Sequence, residues 1–462
     1  MVFSSLVFLW LFLPIVLILY YISQDRYRNL LLLVASLFFY AWGEPVYILV
    51  MLVSILMNYI CGLAIGETVK SKTALVIGVI INLGLLGVFK YSGFVIENIN
   101  ALTGWNLAVK PLSLPIGISF YTFQSISYLV DIYRGVCQPQ KNIIKMGLFI
   151  SFFPQLIAGP ILKYYDLASQ IDKREVTWEG FNYGAKRFIF GLGKKVIIAN
   201  TMAVTADEVF ALGQADVTTL IAWIGIVAYY FQVYFDFSGY SDMAIGLGKM
   251  FGFKINENFN HPYTAISIQD LWRRWHISLA TWFKEYVYIP LGGSRHGTFN
   301  TYRNLMLVFF LTGLWHGAAW TFVLWGVWNG LFIIFEKIVP IEKILHWRIP
   351  QMIYSNFVFF CGLVFFRSET MEQVWWYFGR LFEPYKWGAH TALLSTEFIG
   401  MSIIGFICCG FGALVFNQLP LKEVWKQNMI RVCTPVMCCV IAYFSVLMLA
   451  SNTYNPFIYF RF

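Results

Sequence analysis

Asn304–Lys337 reads NLMLVFFLTGLWHGAAWTFVLWGVWNGLFIIFEK, and formal charge enters it only in its last two residues, Glu336 and Lys337. As one helix these 34 residues would run about 50 Å at about 1.5 Å per residue. The hydrocarbon of a bilayer is about 30 Å thick. The run is therefore expected to break, and Gly317-Ala318-Ala319 is where small residues allow it. Basic residues flank both ends, so the reading is a hairpin that climbs to a tip near His316 and returns. His316 then lies deep in the membrane at a helix break, where an ionisable side chain is a functional candidate by default.

Working outward, the whole chain has the same character. Hydrophobic residues make up 59% of it and charged ones 12%, with a mean hydropathy of +0.65. Soluble proteins carry about twice that charge, so the expected class is an all-α polytopic membrane protein, with 1–462 as one membrane domain. The net charge of +9 sits in short loops between apolar runs, which is the positive-inside pattern and excludes nucleic acid as a partner. The eight cysteines include no Cys-x-x-Cys pair, and the six histidines are too dispersed for a metal site, so no metal is expected. No basic region precedes Val2–Ile22, which argues for a first helix that stays rather than a cleaved signal.

Apolar runs follow near 2–22, 29–42, 46–65, 74–92, 113–134, 144–161, 216–236, 304–337, 351–366, 397–417 and 430–450. Several contain Pro and Gly and are expected to be broken or re-entrant. Phe153-Pro154-Gln155 and Ala158-Gly159-Pro160 should turn 144–161 back within the membrane. Loops 23–28 and 66–73 are basic and read as cytoplasmic. The Lys- and Arg-rich region 162–200 reads the same way. Lys422, Lys426 and Arg431 put the last loop on that side, so both termini are expected outside the cytoplasm.

The core of the reading is 256–336. Ser267-Ile268-Gln269-Asp270 resembles a helix-start box, and Asp270 and Arg274 form a favourable i,i+4 pair. One interfacial helix is expected from there to about Pro290-Leu291-Gly292-Gly293, with Trp272 and His276 on one face. Arg273 and Arg274 could hold the phosphates of a cytosolic donor or serve as snorkelling anchors. A buried His316 should be neutral near pH 7 and able to take a proton from an attacking hydroxyl; it could equally be a hydrogen-bonded core residue. His276 is either a second catalytic group or a structural one. His261 fits a turn, and His296, His346 and His390 fall in loops. Asp236 and Asp242, six apart in an apolar run, suit polar bonding between helices. The aromatic tail 451–462 should dock somewhere, and its Tyr459 is an interfacial anchor or an acyl-accepting hydroxyl that needs a base.

Six motifs together resemble the membrane-bound O-acyltransferases, of the bacterial alginate and peptidoglycan O-acetyltransferase type. They are Leu114–Phe120, Phe153–Pro160, Asp236–Asp242, Asn258–Tyr263, Trp272–His276 and Gly313–Gly317. The resemblance implies a bowl of about a dozen tilted and re-entrant helices around a central tunnel, with His316 catalytic and His276 in a second motif. It implies acetyl transfer from acetyl-CoA to an exported polysaccharide through an extracytoplasmic acetyltransferase partner, with no permanently bound cofactor. It also likens the tail to one whose tyrosine carries the acyl group, which makes Tyr459 a third catalytic candidate. The alternatives are D-alanyl transfer from an acyl carrier protein, or a transporter or flippase with no covalent chemistry.

Overall fold

Long apolar helices leave no backbone group unpaired in lipid, and in the computed structural model helices joined by turns and irregular segments make up the residues it describes. These are 1–462 except 68, 109–111, 385–392, 421, 452–453 and 459–462. Tyr459 and His390 thus lie outside the described residues. Among the described residues no strand occurs, and eight helices are long and apolar enough to cross a membrane.

The chain groups into two compact units, Met1–Phe188 with Ser241–Asn256, and Ile189–Tyr240 with Glu257–Phe462. In the first, Phe3, Phe8, Phe12, Phe39 and Phe153 pack ring to ring, with Phe12 and Phe153 edge-on at 5.4 Å. Asn58 and Asn82 bridge two of its helices through their amides at 2.8 Å. The run 144–161 is broken as expected. Its helix Ile143–Ser151 stops at Phe152, and a four-residue turn Phe153–Leu156 carries Pro154 in its first turn, where the missing N–H is harmless.

The second unit holds the hairpin. Its arms are Gly297–His316 and Trp320–Ile338, each about 30 Å long, and the break falls at Gly317–Ala319 as the sequence predicts. Glycine lets the arms touch. A Cβ on Gly326 would lie 2.3 Å from the Phe309 carbonyl oxygen, and one on Gly313 2.4 Å from that of Phe322. Backbone cannot yield as a side chain can. Gly326→Ala is therefore expected to cost about 1–3 kcal/mol, as overpacking does, measured by thermal unfolding in detergent. A variant as stable as the parent would contradict this close approach.

Two expectations need correction. The basic region 162–200 runs into Trp178–Ala211, a helix with the length and composition of a membrane span. Two of its cations are neutralised by carboxylates: Arg187 pairs with Asp242 at 2.6 Å and Lys195 with Asp236 at 2.7 Å. Charge counting had treated them as loop residues. The single helix expected through Trp272 and His276 is instead two, Ile268–Arg274 and Ile277–Phe283. His276 adopts the left-handed conformation, φ 45°, between them, so it shares no helical face with Trp272.

Candidate active site

His316 is the last residue of the first arm. Its Nδ1 lies 2.7 Å from the Thr312 carbonyl oxygen. A carbonyl only accepts, so Nδ1 carries the hydrogen, and in the uncharged ring Nε2 is the basic nitrogen. Gly317 then leaves the helix in an extended conformation. The imidazole is 4% exposed and packs edge-on to Trp315 at 4.9 Å, Trp325 at 4.8 Å and Phe366 at 5.4 Å. An imidazole whose Nδ1–H is committed to a carbonyl, held among rings that exclude water, suits deprotonation of a hydroxyl when its other nitrogen is unprotonated.

His276 is fixed by a residue to which sequence reading gave no role of its own. Asn258, wholly buried, accepts at Oδ1 from the Ser278 backbone N–H at 3.1 Å and from its hydroxyl at 2.9 Å. Those donors set the orientation of the amide, and the His276 Nδ1–H donates to the same oxygen at 3.2 Å. Two backbone bonds, Asn260 N–H to Arg274 O and Ile277 N–H to Asn258 O, bind the same two segments. They hold His276 in a conformation that non-glycine residues rarely take without such support. The Trp315 ring stands beside both histidines, 6.0 Å from His276 and 4.9 Å from His316.

Burial pushes the His276 pKa well below its ordinary value, and nearby His316 pushes it the same way. The unfolded chain takes up a proton that the folded chain refuses. This contribution to stability is intact above about pH 6.5 and is lost as the pH falls below it. Acidification from pH 7.5 to 5.5 is expected to lower the melting temperature, and His276→Gln to flatten that dependence. An equal slope in the variant would count against it.

The helix Ile268–Arg274 starts as its sequence predicts. The Ser267 hydroxyl accepts from Asp270 N–H at 3.1 Å, and Asp270 pairs with Arg274 at 3.0 Å. Sequence reading missed Glu336, whose carboxylate, coming from the second arm, accepts from Ile268 and Gln269 N–H at 2.6 and 2.9 Å. Arg274 is thus engaged, whereas Arg273 is exposed with no side-chain partner among the described residues. His261 forms a turn, its carbonyl accepting from Thr264, and His296 and His346 are exposed.

The tail docks, and its anchor is polar. Asp236 Oδ2 accepts from Ile458 N–H at 2.8 Å, Lys195 Nζ donates to the Pro456 carbonyl, and Phe457 packs 5.0 Å from the Tyr240 ring. Asp236 thus bonds helix to tail as well as helix to helix.

The model of the membrane-bound O-acyltransferase family matches residues 139–372, which include both histidines. This chain belongs to the membrane-bound O-acyltransferase family. It is similar along its full length to the probable alginate O-acetylase AlgI of Pseudomonas putida, 43% identical with 100% of each chain covered. It is 39% identical to the peptidoglycan O-acetyltransferase of Helicobacter pylori, over 81% of this chain and 78% of that one. Likeness to the teichoic acid D-alanyltransferase of Bacillus subtilis is lower, 28% over 56% of this chain and 70% of that protein. The chain is therefore an O-acetyltransferase-type enzyme embedded in the bilayer as a multi-pass protein, and the reading as a transporter without chemistry falls away.

Proposed function

We propose that this acyltransferase moves an acetyl group from acetyl-CoA, on the cytoplasmic side, across the membrane for O-acetylation of an exported or cell-wall polysaccharide. An extracytoplasmic acetyltransferase partner completes the transfer, and both termini of the chain lie on that side. The observation that carries the reading is the His316 imidazole, whose Nδ1–H is committed to Thr312 so that Nε2 can take the proton of an attacking hydroxyl. His276, beside Trp315, lies at the same centre. Arg273, exposed three residues before His276, is the donor-side cation, with Arg274 behind it. Tyr459 is the candidate acyl-accepting hydroxyl within the chain and lies outside the described residues. The relatives' names favour acetyl over D-alanyl as the group moved.

Purified protein given labelled acetyl-CoA should cleave the thioester, and His316→Ala should stop it in a protein that remains folded. Cleavage of a D-alanyl carrier thioester in preference to acetyl-CoA would reassign the donor. Tyr459→Phe acting at the full rate would remove the tail hydroxyl from the mechanism. Cysteine labelling at the termini from one side of sealed vesicles tests the orientation.

A further inference from the structure

The second unit contains a recess of roughly 300 Å³. The hairpin tip at Ala319–Phe322, the segment Phe366–Glu369 and the docked tail Pro456–Ile458 form its walls. Phe366 lines it and also lies 5.4 Å from the His316 imidazole, so a ligand here sits one ring away from the base.

Two of the polar groups lining it have nothing to bind. Gln232 is 5% exposed, and its Oε1 is buried without a hydrogen-bond partner. It lies one turn before Asp236, the residue that fixes Ile458 in the wall. Thr321, 3% exposed, has a hydroxyl with no partner among the described residues. Buried polar groups are nearly always hydrogen-bonded, so an orphan amide lining a cavity points to a ligand with hydroxyls. A carboxamide offers two donors and an acceptor on one plane, which suits adjacent hydroxyls of a sugar ring.

The charges decide which sugar. Arg367 is the cation in the wall, and Asp207 already holds it at 2.7 Å while it lies over the Phe210 ring at 5.0 Å. Asp207 and Glu369 against Arg367 give −2 + 1 = −1, so the recess carries surplus negative charge. A uronate carboxylate would meet repulsion and no unengaged cation. The volume is at the small end of ligand pockets, about 300–1,000 Å³, and suits one ring rather than a length of polymer.

The geometry points to this recess as a binding site for one neutral sugar unit, recognised by Gln232 and Thr321. It rests on the acyl-transfer reading only in placing that unit one ring away from His316. Full-length protein in nanodiscs is titrated with chitotetraose and with tetramannuronate, followed by ligand-observed NMR. Chitotetraose should bind, and Gln232→Leu and Thr321→Val should each weaken it about tenfold, the loss of a buried hydrogen bond. Tetramannuronate should bind at least about tenfold more weakly at low salt, with the gap narrowing as salt rises. His316→Ala should bind chitotetraose as the parent does. Absent binding, equal uronate binding, or indifference to both substitutions overturns the proposal. Gln232-dependent binding without any cleavage of labelled acetyl-CoA would uphold the recess and strike the acetyl-transfer reading instead.

Discussion

Replacing His316 with alanine is expected to lower the rate of acyl transfer by a factor of about 10²–10⁴, the usual contribution of a positioned general base. The ring is held on one side by Thr312 and on the others by Trp315, Trp325 and Phe366. Its Nε2 is the basic atom that the fixed tautomer leaves for a proton. The substitution removes that atom and leaves the tip residues Gly317–Ala319 in place. His316→Gln keeps more of the volume and still lacks a base of suitable pKa, so it should be comparably slow. Single-turnover transfer from a labelled thioester reads the rate, and thermal unfolding of the same preparations separates chemistry from folding. A stable alanine variant within a factor of a few of the parent would remove His316 from the proton transfer.

The second large effect concerns stability. Lys195 and Asp236 are both nearly inaccessible to solvent and 2.7 Å apart. Removing one partner of such a pair strands the other as a buried charge, at a cost of about 3–5 kcal/mol. Asp236→Ala should therefore destabilise the protein by about that much, and more than Asp242→Ala, whose Arg187 partner is 27% exposed and can turn to water. Asp236 also holds Ile458 N–H, and Lys195 the Pro456 carbonyl. The same substitution should free the tail, read as faster proteolysis or cysteine labelling at 455–458. The pair Lys195→Met with Asp236→Leu should recover most of the stability, because apolar residues can replace a buried ion pair. It should leave the tail loose, since neither replacement can bond backbone. A tail that stays protected in the double variant would show that its aromatic packing alone suffices.

Much was legible in the chain itself. A run charged only at its end and about 20 Å longer than the hydrocarbon is thick had to break, and its only cluster of small residues fixed where. The Ser267 cap and the Asp270–Arg274 pair were readable because both are local. The six motifs carried the family, which the match over 139–372 bears out.

What went unread had its cause far away in sequence. The interfacial helix looked continuous because residues 268–283 favour helix locally. It breaks because Asn258, eighteen residues back, binds His276 and holds it in a left-handed turn. Lys195 looked like a loop cation because composition does not reveal that Asp236 will meet it inside the membrane. Nothing local marks Gln232, which lines a recess only because the tail and the hairpin tip meet beside it. The sequence by itself determined the membrane class, the hairpin and the histidine at its break, since period, length and composition act over a few turns of chain. Only the tertiary structure decided which charges are neutralised, which backbone is strained and which polar groups are left without partners. Each of these depends on the atoms that arrive from elsewhere in the fold.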